Sequence, residues 1–195
     1  MGEILALVEA RLRSVFGEPD ARAAVTFLGA ERIEVLRFTG SDLVRYATLG
    51  MSAQPMADPV APLADPLLGP RAEVVLTVRA GRADTSAVLR PLAVVAASPQ
   101  VEGVVLAPGN ALDLGEPLWS GAPFTSVLVA EPAGLVDDLP LPAPRDPVRF
   151  HPLLPMTPNE AAYKRVHGAE ALRALWLDHG TDLRDPLRGA VPLTP

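Results

Sequence analysis

The chain has 195 residues, 49% of them apolar, and a formal net charge of −6. That apolar content supplies a sizeable core and argues against whole-chain disorder. An acidic chain with a pI of 5.1 has no counterion-release drive toward nucleic acid, and zero cysteine excludes a disulfide scaffold, a thiolate zinc site and a cysteine nucleophile.

In chain order, Ile4, Val8, Leu12 and Val15 recur at helical spacing, which predicts an amphipathic helix over 2–16. Gly17 and Pro19 end it. The charges within this first stretch (Glu3, Glu9, Arg11, Arg13) do not fit a signal peptide. Residues 25–28 and 33–38 read as a hairpin turning at Gly29 and Ala30, and 43–49 as a third strand. Five prolines between 51 and 70 predict a long irregular loop. The near-continuous apolar run at 73–79 predicts a central strand buried on both faces. A helix is expected over 85–98, starting or kinking near Pro91.

Strands are expected at 124–130 and 148–154, with an acidic, proline-rich exposed loop over 131–147 between them. Thr157, Pro158 and Glu160 have the spacing of a capping box with proline at the first helical position. The helix they open runs to His167, breaks at Gly168 and resumes over 169–178, leaving a loop-like tail from Asp182. No uncharged apolar run approaches the length of a membrane span. Strand runs separated from helices predict an α+β fold: a mixed, mainly antiparallel central sheet with helices packed on it, as one domain over 1–195.

The search for chemistry finds little. His151, His167 and His179 have no second histidine at i+3 or i+4, so structural roles are expected and no metal site is predicted. There is no G-x-S-x-G elbow for a serine nucleophile, and neither phosphate-binding glycine motif occurs. No catalytic residue and no cofactor is expected. Trp176 lies on a helical core stripe, whereas Trp119, near a turn, reads as core or as an interface anchor.

The order of local landmarks carries more. Tyr46, Thr48, Gly50, Met51 and Ser52 resemble the Y-x-T-x-G-[ML]-S signature of the suppressor-of-fused domain family. Glu73 to Leu76 is similar to that family's central strand, 109–118 to its turn-rich segment, 155–160 to its helix start, Gly168 to its helix break and 182–188 to its tail. The resemblance implies one mixed domain without enzymatic activity that works by binding another protein. Sixteen of the 17 basic residues are arginine, as a GC-rich bacterial genome would produce. Bacterial members of the family resemble immunity proteins, so a cytoplasmic antitoxin that occludes a cognate toxin is the leading expectation. An adaptor for another pathway is second, and a hydrolase using Ser52, His151 or an acidic pair is third.

Gly50 is expected at positive φ where the third strand turns, with Ser52 or Thr48 bonding that turn. The partner-facing candidates are Gly50, Ser52 and Met56 in the 51–70 region, Trp119, and Asp137 and Asp138 in the acidic loop. Residues 46–150 hold 6 basic and 11 acidic residues, so a basic protein partner suits this surface.

Overall fold

The computed structural model describes residues 2–27, 31–56, 65 and 67–193. Its scaffold is one seven-stranded sheet in the order β1-β2-β3-β4-β7-β6-β5. The strands are β1 (Ala21–Val25), β2 (Ile33–Thr39), β3 (Leu43–Leu49), β4 (Arg71–Arg79), β5 (Ala111–Asp113), β6 (Ser126–Val129) and β7 (Val148–Met156). Every neighbouring pair is antiparallel except β4 and β7, which run parallel. This is the mixed, mainly antiparallel α+β sheet expected.

Alternation along β4 explains its central place. Val74, Leu76 and Val78 face one core with α2 (Leu89–Glu102), while Val75 faces a second core with α1 (Gly2–Phe16). The helix α1 contributes Ile4, Val8 and Leu12, the stripe its periodicity marked. A short 3-10 turn at Ser86–Val88 leads into α2, so Pro91 falls in the first helical turn, where its missing N–H has no intrahelical acceptor to lose. Pro99 lies inside α2 and cannot serve the Val95 carbonyl. The Ser98 hydroxyl donates to that carbonyl instead, at 2.8 Å. The helices α3 (Pro158–His167) and α4 (Ala169–Asp178) close a third core over Leu128 and Met156.

Three expectations need correction. The first strand is Ala21–Val25 rather than 25–28, because the ladder with β2 runs from Ala21↔Arg37 to Val25↔Ile33; Thr26 and Phe27 lie beyond it and Leu28 lies outside the described residues. Strand β5 was read only as turn-rich sequence, being three residues long at the sheet edge. The 131–147 segment is not a simple exposed loop. Val136 and Leu139 are buried against α1, and Leu139 exchanges both backbone bonds with Val148 at 2.9 Å. Of the proline-rich 51–70 segment, Met51–Ala53 form a buried 3-10 turn, while 57–64 and Pro66 lie outside the described residues.

Leu139→Ala should therefore behave as a core truncation. Urea unfolding should show a loss of about 2–4 kcal/mol; a change below about 0.5 kcal/mol would mean that the segment does not belong to the core.

Candidate functional site

Two glutamates, Glu73 and Glu160, are fully buried, and each anchors an irregular segment of the described chain. Glu73 on β4 reaches under the turn that follows β3. Its Oε1 accepts the Gly50 N–H at 2.9 Å, the Ser52 N–H at 3.0 Å and the Ser52 hydroxyl at 2.6 Å. Its Oε2 accepts the Thr48 hydroxyl at 2.6 Å, and Thr48 in turn accepts the Val74 N–H at 2.9 Å. Arg71, two residues earlier, grips the other polarity of the same turn by donating to the Ser52 and Ala53 carbonyls at 2.9 and 3.0 Å.

Gly50 has φ +139°, and a Cβ there would stand 2.7 Å from the Arg32 carbonyl oxygen, so only glycine fits. Tyr46 completes the set by sharing a 2.8 Å hydrogen bond with Thr85. The Tyr46–Ser52 pattern is thus a folding device. Its polar side chains bond within the fold, Met51 is core, and Gly50 meets a steric demand.

Glu160 plays the corresponding part for the C-terminal tail. The capping box exists as its spacing implied: Thr157 Oγ1 accepts the Glu160 N–H at 3.3 Å, and Glu160 Oε2 accepts the Thr157 N–H at 2.8 Å. The same carboxylate also takes the Trp176 indole N–H at 2.9 Å, the Val191 N–H at 3.1 Å and both Arg188 terminal nitrogens at 2.7 and 3.1 Å. Arg188 continues to the Pro155 carbonyl at 2.6 Å and lies over the Phe124 ring at 4.8 Å. The pairing of β4 with β7 ends at Leu76↔Leu153, so the Arg188 side chain serves a β7 carbonyl beyond the paired residues. Arg79–Asp182 and Arg82–Asp185 ion pairs fasten the start of the tail.

The two carboxyls shift in opposite directions. Burial dominates at Glu73 and pushes its pKa up, since the donors that oppose it are neutral hydroxyl and backbone groups. Burial would raise Glu160 as well, but Arg188, the Thr157 N–H and Trp176 outweigh it and hold Glu160 below the ordinary value.

The family profile described as Suppressor of fused protein (SUFU) matches residues 29–189. The chain belongs to the suppressor-of-fused family. A suppressor-of-fused homologue from Neisseria gonorrhoeae has the same fold at a TM-score of 0.74 and 18% identity, covering 100% of both chains. A chain of the Sufu–Fu complex matches at 0.63 and 12% identity over 97% of this chain and 91% of that one. Drosophila Suppressor of Fused matches at 0.58 and 14% identity over 96% of this chain, which spans 50% of its length. No curated protein matches by sequence.

Within this suppressor-of-fused fold the candidate residues separate by depth. Gly50, Ser52, Met56 and Trp119 are buried, so none offers its side chain to a partner in this conformation. Trp119 packs edge-on against Phe124 at 5.7 Å, and the Met56 sulfur accepts the Leu106 N–H at 3.3 Å. Asp137 and Asp138 are exposed; Arg11 donates to the Asp137 carbonyl at 3.3 Å and Arg149 stands 4.0 Å from the Asp138 carboxylate. Ser52 gives its hydroxyl to Glu73 rather than to a histidine, so the serine–histidine pair of a serine hydrolase is not formed at Ser52. Among the described residues, no cluster of three or more His, Cys, Asp or Glu side chains is placed to hold a metal.

Sequence reasoning did not find Glu73 as the acceptor beneath the signature. Its apolar neighbours hid it, although an acid at the start of a buried strand was the available signal.

The opposite shifts give opposite pH dependences. Glu73 has a folded pKa above its unfolded one, so its contribution is fully present below about 4.5 and is lost as pH rises through the folded value. Glu73→Gln should flatten that decline in urea unfolding across pH, whereas Glu73→Leu, which strands four donors, should be less stable than Glu73→Gln at every pH. Retention of the decline in Glu73→Gln would assign it to another group.

Glu160 is depressed, so its contribution is present above about 4.5 and is lost as pH falls through the folded value. Arg188→Gln should cost about 3–5 kcal/mol at neutral pH and move acid unfolding to higher pH. An unchanged acid midpoint would refute the coupling.

Proposed function

We propose that this chain is a protein-binding domain, one unit over 1–195, that holds a partner segment along the free edge of β5. The observation that carries this reading is a groove of about 1060 Å³ between that edge and the C-terminal half of α2. Val94, Ser98 and Glu102 of α2 form one wall, and Val105, Leu112 and Lys164 contribute to the rest.

Strand β5 ends the sheet. The Asn110 carbonyl and the Leu114 N–H bond inward to the β6 side. By antiparallel alternation, the backbone groups of Ala111 and Asp113 point away from the sheet. An extended peptide adding there gains main-chain hydrogen bonds from the edge and specificity from the apolar floor. That a suppressor-of-fused protein forms a complex with Fu supports a binding role for the family fold.

The partner favoured is a cognate bacterial toxin domain, neutralised by occlusion in the cytoplasm, with no chemistry performed by this chain. The net charge of −6 and the exposed Asp137 and Asp138 support a basic partner, whose encounter such charges accelerate. Among the described residues no helix is long and apolar enough to cross a membrane.

Co-expression with a toxin encoded beside it tests the role. Rescue of growth with direct binding is expected, and Val94→Arg, which places a charge in the groove, should weaken that binding at least about tenfold. Asp137→Arg with Asp138→Arg should slow association and reduce its salt dependence. Absence of both rescue and binding would remove the toxin; binding to a different protein through the same groove would leave an adaptor. Unchanged affinity in Val94→Arg would remove the groove.

A further inference from the structure

The sheet has a second free edge. At the end opposite β5, the outer side of β1 meets no strand among the described residues. The neighbouring ladders show which backbone groups that edge presents. The Gly40 N–H donates to the Leu43 carbonyl at 2.8 Å, so the even-numbered residues of β2 bond toward β3. The odd-numbered Ile33, Val35 and Arg37 therefore bond toward β1, where they stand opposite Val25, Ala23 and Ala21. The Asp20 N–H, which donates to the Arg37 carbonyl at 2.9 Å, agrees with that direction. The N–H and C=O groups of Arg22 and Ala24 are left pointing outward, away from β2.

Sheets guard such edges with prolines, bulges or charges. Strand β1 reads Ala-Arg-Ala-Ala-Val, without a proline, and its ladder with β2 runs from Ala21 to Val25 without a bulge. Its one charge is turned onto its own fold, where Arg22 is ion-paired with Glu9 of α1 and with Glu34 at 2.6 Å. Arg13 and Arg32 pair with the same two glutamates at 2.9 Å each. These two acids are thus neutralised and do not repel a second acidic molecule.

We propose that the β1 edge pairs antiparallel with the β1 edge of a second copy, the two-fold axis passing beside Ala23. This register uses all five residues of the strand. Arg22 and Ala24 of each copy then exchange main-chain hydrogen bonds with Ala24 and Arg22 of the other. Ala23 faces Ala23 in the non-hydrogen-bonded pair, where side chains come closest and a small residue fits. Ala21 faces Val25, and these residues join Ala23 in one apolar strip on the α2 side, where Val25 already packs against the core. An axis at Arg22 would instead set two arginines directly opposite each other, which is unfavourable. Five residues a side is well below the roughly 20–30 of a standard interface, so the dimer is weak and reversible. It uses the end of the sheet opposite the groove and stands whatever binds along β5.

Sedimentation equilibrium of the full chain, up to about 1 mM, tests the pairing. A reversible monomer–dimer equilibrium is expected. Ala24→Pro removes an N–H that β2 does not use. It should unfold in urea as the parent does while weakening the dimer at least about tenfold.

The chain has no cysteine, so single cysteines report the register. Ala23→Cys sets the two Cα atoms ~4.5 Å apart in the paired copies, within disulfide range, and should crosslink on mild oxidation. Ala21→Cys sets them roughly 14 Å apart, beyond that range, and should not. If Ala24→Pro fails to fold, the cysteine variants alone decide. A monomer at every concentration overturns the proposal. So does a dimer that a folded Ala24→Pro leaves unchanged, or one in which Ala23→Cys crosslinks no better than Ala21→Cys.

Discussion

The turn after β3 depends on one buried carboxyl. Two backbone N–H groups and two hydroxyls, each buried away from water, converge on Glu73, and without it they would be left unsatisfied in the core. This fixes the direction in which the chain leaves the sheet. It also places Met51 and Met56 inside the core that β4 shares with α2. Arg71 then closes the carbonyls of the same turn, so two side chains two residues apart satisfy both polarities of a segment with no strand partner.

Glu160 solves the same problem at the other end of the sheet, with a different electrostatic outcome. It accepts from a backbone turn, an indole and an arginine, and the arginine makes the difference. A carboxyl held by neutral donors in a dry site is pushed toward its protonated form, while one beside a guanidinium stays charged. The C-terminal tail carries that guanidinium, so the helix start at Thr157, Trp176 in α4 and the tail form one connected unit.

These two anchors leave surfaces that serve no internal purpose. Among the described residues the outer edge of β5 has no strand partner and borders the groove; a bare edge is an aggregation hazard unless something covers it. A pocket beside His151 adjoins it, and the buried His151 Nδ1 has no hydrogen-bond partner among the described residues. Both lie on the α2 side, and they are separated only by the shared wall at Met56 and Leu106. On the α1 side, the returning 131–147 segment packs Val136 and Leu139 into the second core.

The sequence by itself determined the elements whose cause is local. Helical spacing placed α1, the capping box placed the start of α3, and Gly168 the break before α4, because each depends on residues within one or two turns. The apolar run of β4 declared a strand covered on both faces, and the ordered landmarks declared the family. Only the tertiary structure decided what long-range contacts control. Strand β5 is three residues held by its ladder to β6, Leu139 is core only because α1 lies over it, and Glu73 looks like an ordinary polar residue until β3 is paired beside it. Gly50, Ser52 and Met56 drew attention as possible contacts because they lie in the signature and the proline-rich 51–70 region, and Trp119 because tryptophan suits an interface. Whether such residues face outward is set by packing between segments far apart in the chain, and here packing turned them inward.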